Sequence, residues 1–147
     1  LNHFDFIQDE FNLLRIDPLK KMKNYEGTLA VRSIYANGIL TQKFNLNSTF
    51  SKKDHRASWL KKQRLKNIYN QKKLLNSLSK EKIEKFSLDF VLRFKMFEKI
   101  IVGLRTKKQV KDFLTNIENS KKIDKKYIKK IIDLHKNNAF FNSKEKY

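Results

Sequence analysis

The sequence has no cysteine, one proline, one tryptophan and only three glycines. Without cysteine there is neither a disulfide framework nor a thiolate metal site. No apolar run approaches the ~20 residues needed to span a bilayer. The basic-then-apolar order of a secretory leader is missing from the start, so a cytoplasmic protein is the expectation. His3, His55 and His135 share no metal-ligand spacing, which leaves no metal site to assign. Acidic residues are few, 15 against 34 lysines and arginines, for a formal charge of +19. The chain opens on Leu1 rather than Met and is expected to be part of something longer.

The positive charge admits a nucleic-acid binder, because neutralising phosphates takes many cations. Lysine outnumbers arginine 28 to 6, however, and lysines are spread over nearly every helical segment. Asn, Ile, Lys and Phe are abundant while Ala, Gly and Pro are scarce, as in genomes that prefer A/T-rich codons. A solvated lysine surface therefore ranks ahead of nucleic-acid binding, which stays as an alternative. At 147 residues there is room for one domain with a real core.

Three short β-compatible runs are each followed by helix. Phe4 to Gln8 suits a buried strand, with Phe11, Leu13 and Leu14 behind it. Asp17, Pro18 and Gly27 punctuate a helix as N-cap, first helical residue and left-handed C-cap. Thr28 to Val31 is the second strand, ending at Arg32 and Ser33. Strand, helix and strand within about thirty residues make a βαβ unit with parallel strands. Ile34 to Ser58 is long and irregular, the kind of segment that is functional or mobile in a compact domain. A helix from Trp59 to Leu78 follows, then one capped by Ser79 and running to about Met96.

Lys99 to Leu114 reads as a buried strand (Ile100, Ile101, Val102), a turn at Gly103, and a helix. Thr106 and Gln109 have the spacing of a capping box, and Arg105 adds a fixed charge at the helix mouth. That arrangement suits a phosphate, and equally an ordinary, well-capped junction. A last helix is capped by Asp124, and residues 137–147 are expected as a flexible tail. Three parallel strands leave two unpaired edges. The count fits the last three βα units of a (β/α)8 barrel, which takes roughly 250 residues. The expected fold is thus α/β, the C-terminal portion of a TIM barrel of three βα units plus a C-terminal helix, as one domain over 1–136. Phosphate in such barrels sits on the loops after the last two strands, here Ser33–Leu40 and Gly103–Gln109.

The order FDFIQDEFNLL, VRSIYANGILTQKF, KKDHRASWL, SLDFVLRF and IIVGLRTKKQVKDFL resembles the C-terminal half of an aldo/keto reductase, from about Phe4 to Leu134. The Arg-Ser pair after the second strand and Asp54-His55-Arg56 are similar to bacterial members acting on sugars and other small carbonyls. The resemblance implies an oxidoreductase that passes a hydride between NADP(H) or NAD(H) and a carbonyl or alcohol carbon. Gln8 matches the glutamine that bonds the nicotinamide carboxamide. Arg32 stands where many members place an aromatic ring against the nicotinamide. Ser33, Asn37, Gly38 and Leu40 match the loop around the pyrophosphate, with Ile34 and Tyr35 replacing that loop's proline and leucine. Gly103, Arg105, Thr106 and Gln109 match the segment holding the adenosine ribose and, in NADP enzymes, its 2′-phosphate. Phe113 replaces the asparagine that reads adenine, and either packs on adenine or faces the core. Arg105, Lys107 and Lys108 favour NADP, with NAD possible.

The family's catalytic Asp, Tyr, Lys and His match nothing here, since their strands precede Leu1. The chain is therefore expected to be inactive alone, requiring the N-terminal half of the barrel as partner and no membrane. A self-associating, non-catalytic half-barrel is the other alternative.

Overall fold

The computed structural model describes residues 4–147, so His3 lies outside the described residues. Three parallel strands form one sheet in the order β1 (Phe6–Glu10), β2 (Thr28–Arg32) and β3 (Lys99–Ile101). Between β1 and β2 lies α1 (Pro18–Lys21); between β2 and β3 lie α2 (Arg56–Trp59), α3 (Lys62–Asn76) and α4 (Ile83–Leu92). Helices α5 (Lys107–Glu118), α6 (Lys125–Asn137) and α7 (Ala139–Asn142) follow β3. The chain is α/β, with the parallel βα order that its strand and helix spacing predicts.

The two faces of the sheet differ. Side chains alternate along a strand, and register partners share a face. Ile7, Leu29, Val31 and Ile100 form the helix-covered face and pack into the core. The opposite face carries Phe6 and Gln8, then Thr28 and Arg32, then Lys99 and Ile101. Here Phe6 is 48% and Ile101 45% exposed. Both strands expected to be buried are thus open on one side: among the described residues no layer covers Phe6, Gln8, Lys99 or Ile101, on the face that a closed barrel turns inward. Helix α5 has no buried residue, and Val110, Leu114 and Ile117 form an exposed stripe at helical spacing.

The core is built where β1 hands over to the helices. Phe11 is fully buried and stacks on Phe90 at 5.2 Å between centroids, with Phe94 and Phe97 at 5.3 and 4.6 Å. Phe86 and Phe90 lie four residues apart on one face of α4, and Phe94 follows just past its C-terminal end. Ile68 and Leu75 of α3, Leu88 of α4 and Ile131 of α6 are also fully buried.

Several local expectations are corrected. Helix α1 is a single turn, and Asp17 makes no side-chain cap bond because its own backbone (φ −51°, ψ −36°) is already helical. Gly27 is not left-handed; a Cβ there would lie 2.8 Å from the Asp5 carbonyl, so close approach is what demands glycine. Ser79 does not cap α4: its Oγ accepts from Glu81 N at 3.1 Å, and the helix starts at Ile83 after an extended Lys82. The segment 34–58 is packed, burying Ile34, Ala36, Ile39, Leu40 and Phe44. The Lys72 ammonium holds it to α3 by donating to the carbonyls of Thr41 and Phe44. Residues 137–147, expected as a flexible tail, carry α7 and bury Phe141. Asn67 and Gln71 of α3 anchor them by donating to the Phe140 carbonyl at 2.9 and 2.8 Å. The box at Thr106 and Gln109 and the Asp124 cap of α6 form as the sequence spacing predicts.

Candidate functional site

Ligands of parallel sheets sit beyond the carboxyl ends of the strands. Arg32 at the end of β2 is the register partner of both Glu10 on β1 and Ile101 on β3. The loops after β2 and β3 therefore leave the sheet side by side. Gln8 lies one row further down, exposed on the open face beside Ala30.

The loop after β2 is strained. Ser33, Ala36 and Asn37 have φ of 56°, 48° and 56°, and Gly38 follows at 87°. Only glycine takes this region freely; for alanine it costs ~1–2 kcal/mol. Backbone hydrogen bonds hold the turn, with Ala36 N donating to Ser33 O at 2.7 Å and Gly38 N to Tyr35 O at 2.9 Å. The fully buried Asn12, two residues past β1, braces it by donating to Ser33 O at 3.0 Å. On the outer side, Arg56 forks onto the Asp54 carboxylate at 3.0 and 2.6 Å and donates to Asn37 O at 3.0 Å. Those bonds from Arg56 hold the Asp54 carboxyl well below the ordinary 3.8. Arg32 is exposed, and its guanidinium donates to Ser33 Oγ at 3.2 Å. Leu40 is fully buried, and its N–H donates to Tyr35 O at 3.1 Å, so it packs beneath the loop and presents no atom to a ligand. Burial, then the Glu84 charge, push the Tyr35 phenol up to about 12.

The junction after β3 spends much of its hydrogen bonding on itself. Arg105 N and Thr106 N donate to Gln109 Oε1 at 2.7 and 3.2 Å, and Gln109 N donates to Thr106 Oγ1 at 3.2 Å. Three helix-mouth amides that suit a phosphate are thereby engaged in the cap. Lys108 pairs with Asp112 at 3.0 Å. The Arg105 side chain and Lys107 are exposed and in no ion pair among the described residues. A Cβ on Gly103 would meet nothing within 4 Å, so this glycine leaves open space and no tight turn requires it. Phe113 is half-buried and packs against the core, which is the core-facing one of its two expected orientations.

A polar cluster at the same sheet end went unread in the sequence. The Tyr147 phenol donates to Glu10 Oε1 and accepts from Asn37 Nδ2 at 2.9 Å. Arg15 lies 3.7 Å from both the Asp9 and Glu10 carboxylates. Burial, then the Glu10 carboxylate, raise the Tyr147 phenol far above the ordinary 10.0. Glu10, Asn12 and Arg15 fall within seven residues after Gln8, and polar residues at and just past a strand's end were a usable signal. Tyr147 carried none, since contact across 137 positions is invisible to local pattern.

His55 lies 3.8 Å from Asp54, and His135 Nε2 lies 2.9 Å from the Leu13 carbonyl with its ring against Phe141. Among the described residues no group of three or more His, Asp or Glu is placed to hold a metal. No described helix is long and apolar enough to cross a membrane.

No protein-family model matches the chain, and no curated protein sequence does. A solved structure does match: the glycerol dehydrogenase AKR11B4 from Gluconobacter oxydans, at a TM-score of 0.68 and 18% sequence identity. The match covers 90% of this chain and 43% of that one, so the chain spans less than half the length of that protein. The likeness establishes the fold, part of a TIM barrel with three of its parallel strands.

Proposed function

We propose that this chain is the nucleotide-cradling portion of an NAD(P)H-dependent oxidoreductase of the aldo/keto reductase type, acting on a small carbonyl compound or the matching alcohol. The observation that carries this reading is the pair of loops leaving register partners Arg32 and Ile101 at the carboxyl end of the sheet, on a fold shared with a glycerol dehydrogenase. The residues present fit a dinucleotide in part. Gln8, Arg32 and Ser33 would hold the nicotinamide and pyrophosphate end. Asn37 and Gly38 would contribute through the left-handed turn, and Leu40 only by packing beneath it. Beside Gly103 there is room for the adenosine end, and Arg105 with Lys107 would meet a 2′-phosphate. Thr106 and Gln109 shape that end by fixing the helix mouth. A bound nucleotide would supply the hydride, and no residue of this chain is assigned the proton transfer.

NADP is favoured over NAD because two exposed cations stand at the helix mouth. Titrating the chain with NADPH and NADH tests this, read by nucleotide fluorescence. NADPH binds more tightly, and Arg105→Ala removes the difference, a loss of about 1 kcal/mol or about fivefold in Kd. Absence of binding by either nucleotide overturns the cradle. Turnover of simple aldehydes by this chain overturns the assignment of proton transfer elsewhere.

The bare sheet face and the stripe on α5 favour a second reading, a non-catalytic half-barrel that pairs through that face. Light scattering that shows a monomer at all concentrations removes it.

A further inference from the structure

Helix α6 carries its lysines in doublets, Lys125 with Lys126 and Lys129 with Lys130, after Lys121 with Lys122 just ahead of it. Residues four apart share a side of a helix, so each doublet repeats the last. Arg93 and Phe94, directly after α4, face one side of α6 across a groove of about 490 Å³. Lys125, Ile128, Lys129, Ile132, Asp133 and Lys136 complete its lining. Small-molecule sites have volumes of roughly 300–1,000 Å³.

The lining is divided by chemistry. Phe94, Ile128 and Ile132 are half-buried and make an apolar floor, and Phe94 and Ile128 also pack against the core. Around the floor stand four cations and one carboxylate. None of these five is in an ion pair among the described residues. Arg93 is the least committed, because its Nε is buried with no hydrogen-bond partner. Turning that side chain to an acceptor in the groove gives up no bond at Nε and gains one.

An apolar floor inside an unpaired cationic rim narrows the occupant. A nucleic acid needs the cations but not a floor of isoleucine. A bilayer takes up apolar side chains that stand out from a helix, and these are sunk between two elements. A second copy of this chain would bring its own charge of +19 against the rim. What fits is one apolar chain ending in an anion. Lys125 to Lys136 spans about 16 Å along the helix at ~1.5 Å per residue, the reach of an alkyl chain of about twelve carbons.

We propose that this groove binds a free fatty acid of medium chain length. Its alkyl chain lies on Phe94, Ile128 and Ile132, and its carboxylate meets the planar Arg93 guanidinium with the rim lysines around it. No residue of the groove belongs to the two loops at the carboxyl end of the sheet, so binding needs no nucleotide.

Isothermal titration of the full chain with laurate, below its micelle-forming concentration, tests this. One site is expected, with affinity rising roughly twofold per methylene from octanoate to laurate, a gain smaller than full burial gives because the floor is half-buried. Dodecyl maltoside, which has the chain without the anion, is expected not to compete. Arg93→Gln with Lys129→Gln weakens laurate about fivefold. Lys62→Gln with Lys66→Gln, at exposed positions on α3 outside the groove, removes the same charge and leaves the affinity unchanged. Ile132→Gln flattens the dependence on chain length. If Arg93→Gln loses its circular dichroism, Lys129→Gln with Lys136→Gln reads the same rim. Equal weakening by the α3 pair overturns the proposal, since laurate would then follow overall charge. Affinity independent of chain length overturns it too. Anionic vesicles or an oligonucleotide binding where laurate does not would assign the rim to those partners and overturn it as well.

Discussion

Replacing Phe6 and Ile101 by threonine tests whether the open sheet face is truly bare. Both residues sit in the outer strands on the uncovered face and are 48% and 45% exposed. Full burial of such a side chain stabilises by ~1.5–3 kcal/mol. About half of each side chain is already in water, so each substitution removes roughly 1 kcal/mol, and threonine keeps the β-branched preference for strand. The contrast is Phe90→Ala. That ring is almost wholly buried and stacks on Phe11 at 5.2 Å; its removal costs about 3–5 kcal/mol through lost transfer energy and a cavity. Urea unfolding followed by circular dichroism measures all three, with light scattering alongside. Phe90→Ala is expected to shift the midpoint several times further than either threonine variant, and the threonine variants are expected to lower any association. Equal shifts for Phe6→Thr and Phe90→Ala would refute the reasoning, since they would mean that something covers the face in solution.

Thr106→Ala removes the reciprocal cap at the start of α5 and is expected to cost about 1 kcal/mol. Hydrogen exchange checks it, with faster exchange of the Arg105, Thr106 and Gln109 amides and little change in α3. His135 is held neutral, mainly by burial, below its ordinary 6.5. A histidine with a lowered folded value binds its proton more readily when unfolded. Stability is therefore full above about pH 6.5 and falls as the pH drops from there towards the folded value. His135→Phe is expected to flatten that acid limb, read from urea midpoints between pH 7 and pH 5.

The parts of the fold set by nearby residues were legible in the sequence. Thr106 with Gln109, and Asp124 with Lys126, are contacts within one turn, where spacing alone decides. The order of strands and helices followed from the runs at 28–31 and 100–102 and from the apolar faces of α3 and α4. Burial of the strands did not. An isoleucine in a β run signals a core strand only if both sides of the sheet are covered, and cover is a property of the rest of the barrel. The tail misled for a related reason. Its composition of Asn, Lys and Ser reads as unpacked, yet Asn67 and Gln71 satisfy its carbonyls from 69 and more positions away. At the candidate site the backbone was more legible than the side chains. Gly38, at φ 87°, is the residue type that suits a left-handed turn, but nothing in the sequence showed that Ser33, Ala36 and Asn37 share that conformation.

The two loops divide the work of the sheet end in a way that constrains any nucleotide. After β3 the amides of Arg105, Thr106 and Gln109 close on their own cap, so an anion there meets the helix mouth chiefly through side-chain charge. Charge attracts a phosphate over several ångströms but orients it weakly. After β2 the conditions are reversed. The turn carries little free charge beyond Arg32, but its backbone is fixed by Asn12 from below and Arg56 from outside. On the proposed reading, a dinucleotide spanning both loops would thus be attracted at its adenosine end and aligned at its nicotinamide end. Alignment matters at the nicotinamide end, where a displacement of about 1 Å costs on the order of a hundredfold in rate. On that reading, the strain at Ala36 and Asn37 lies at the end where alignment counts.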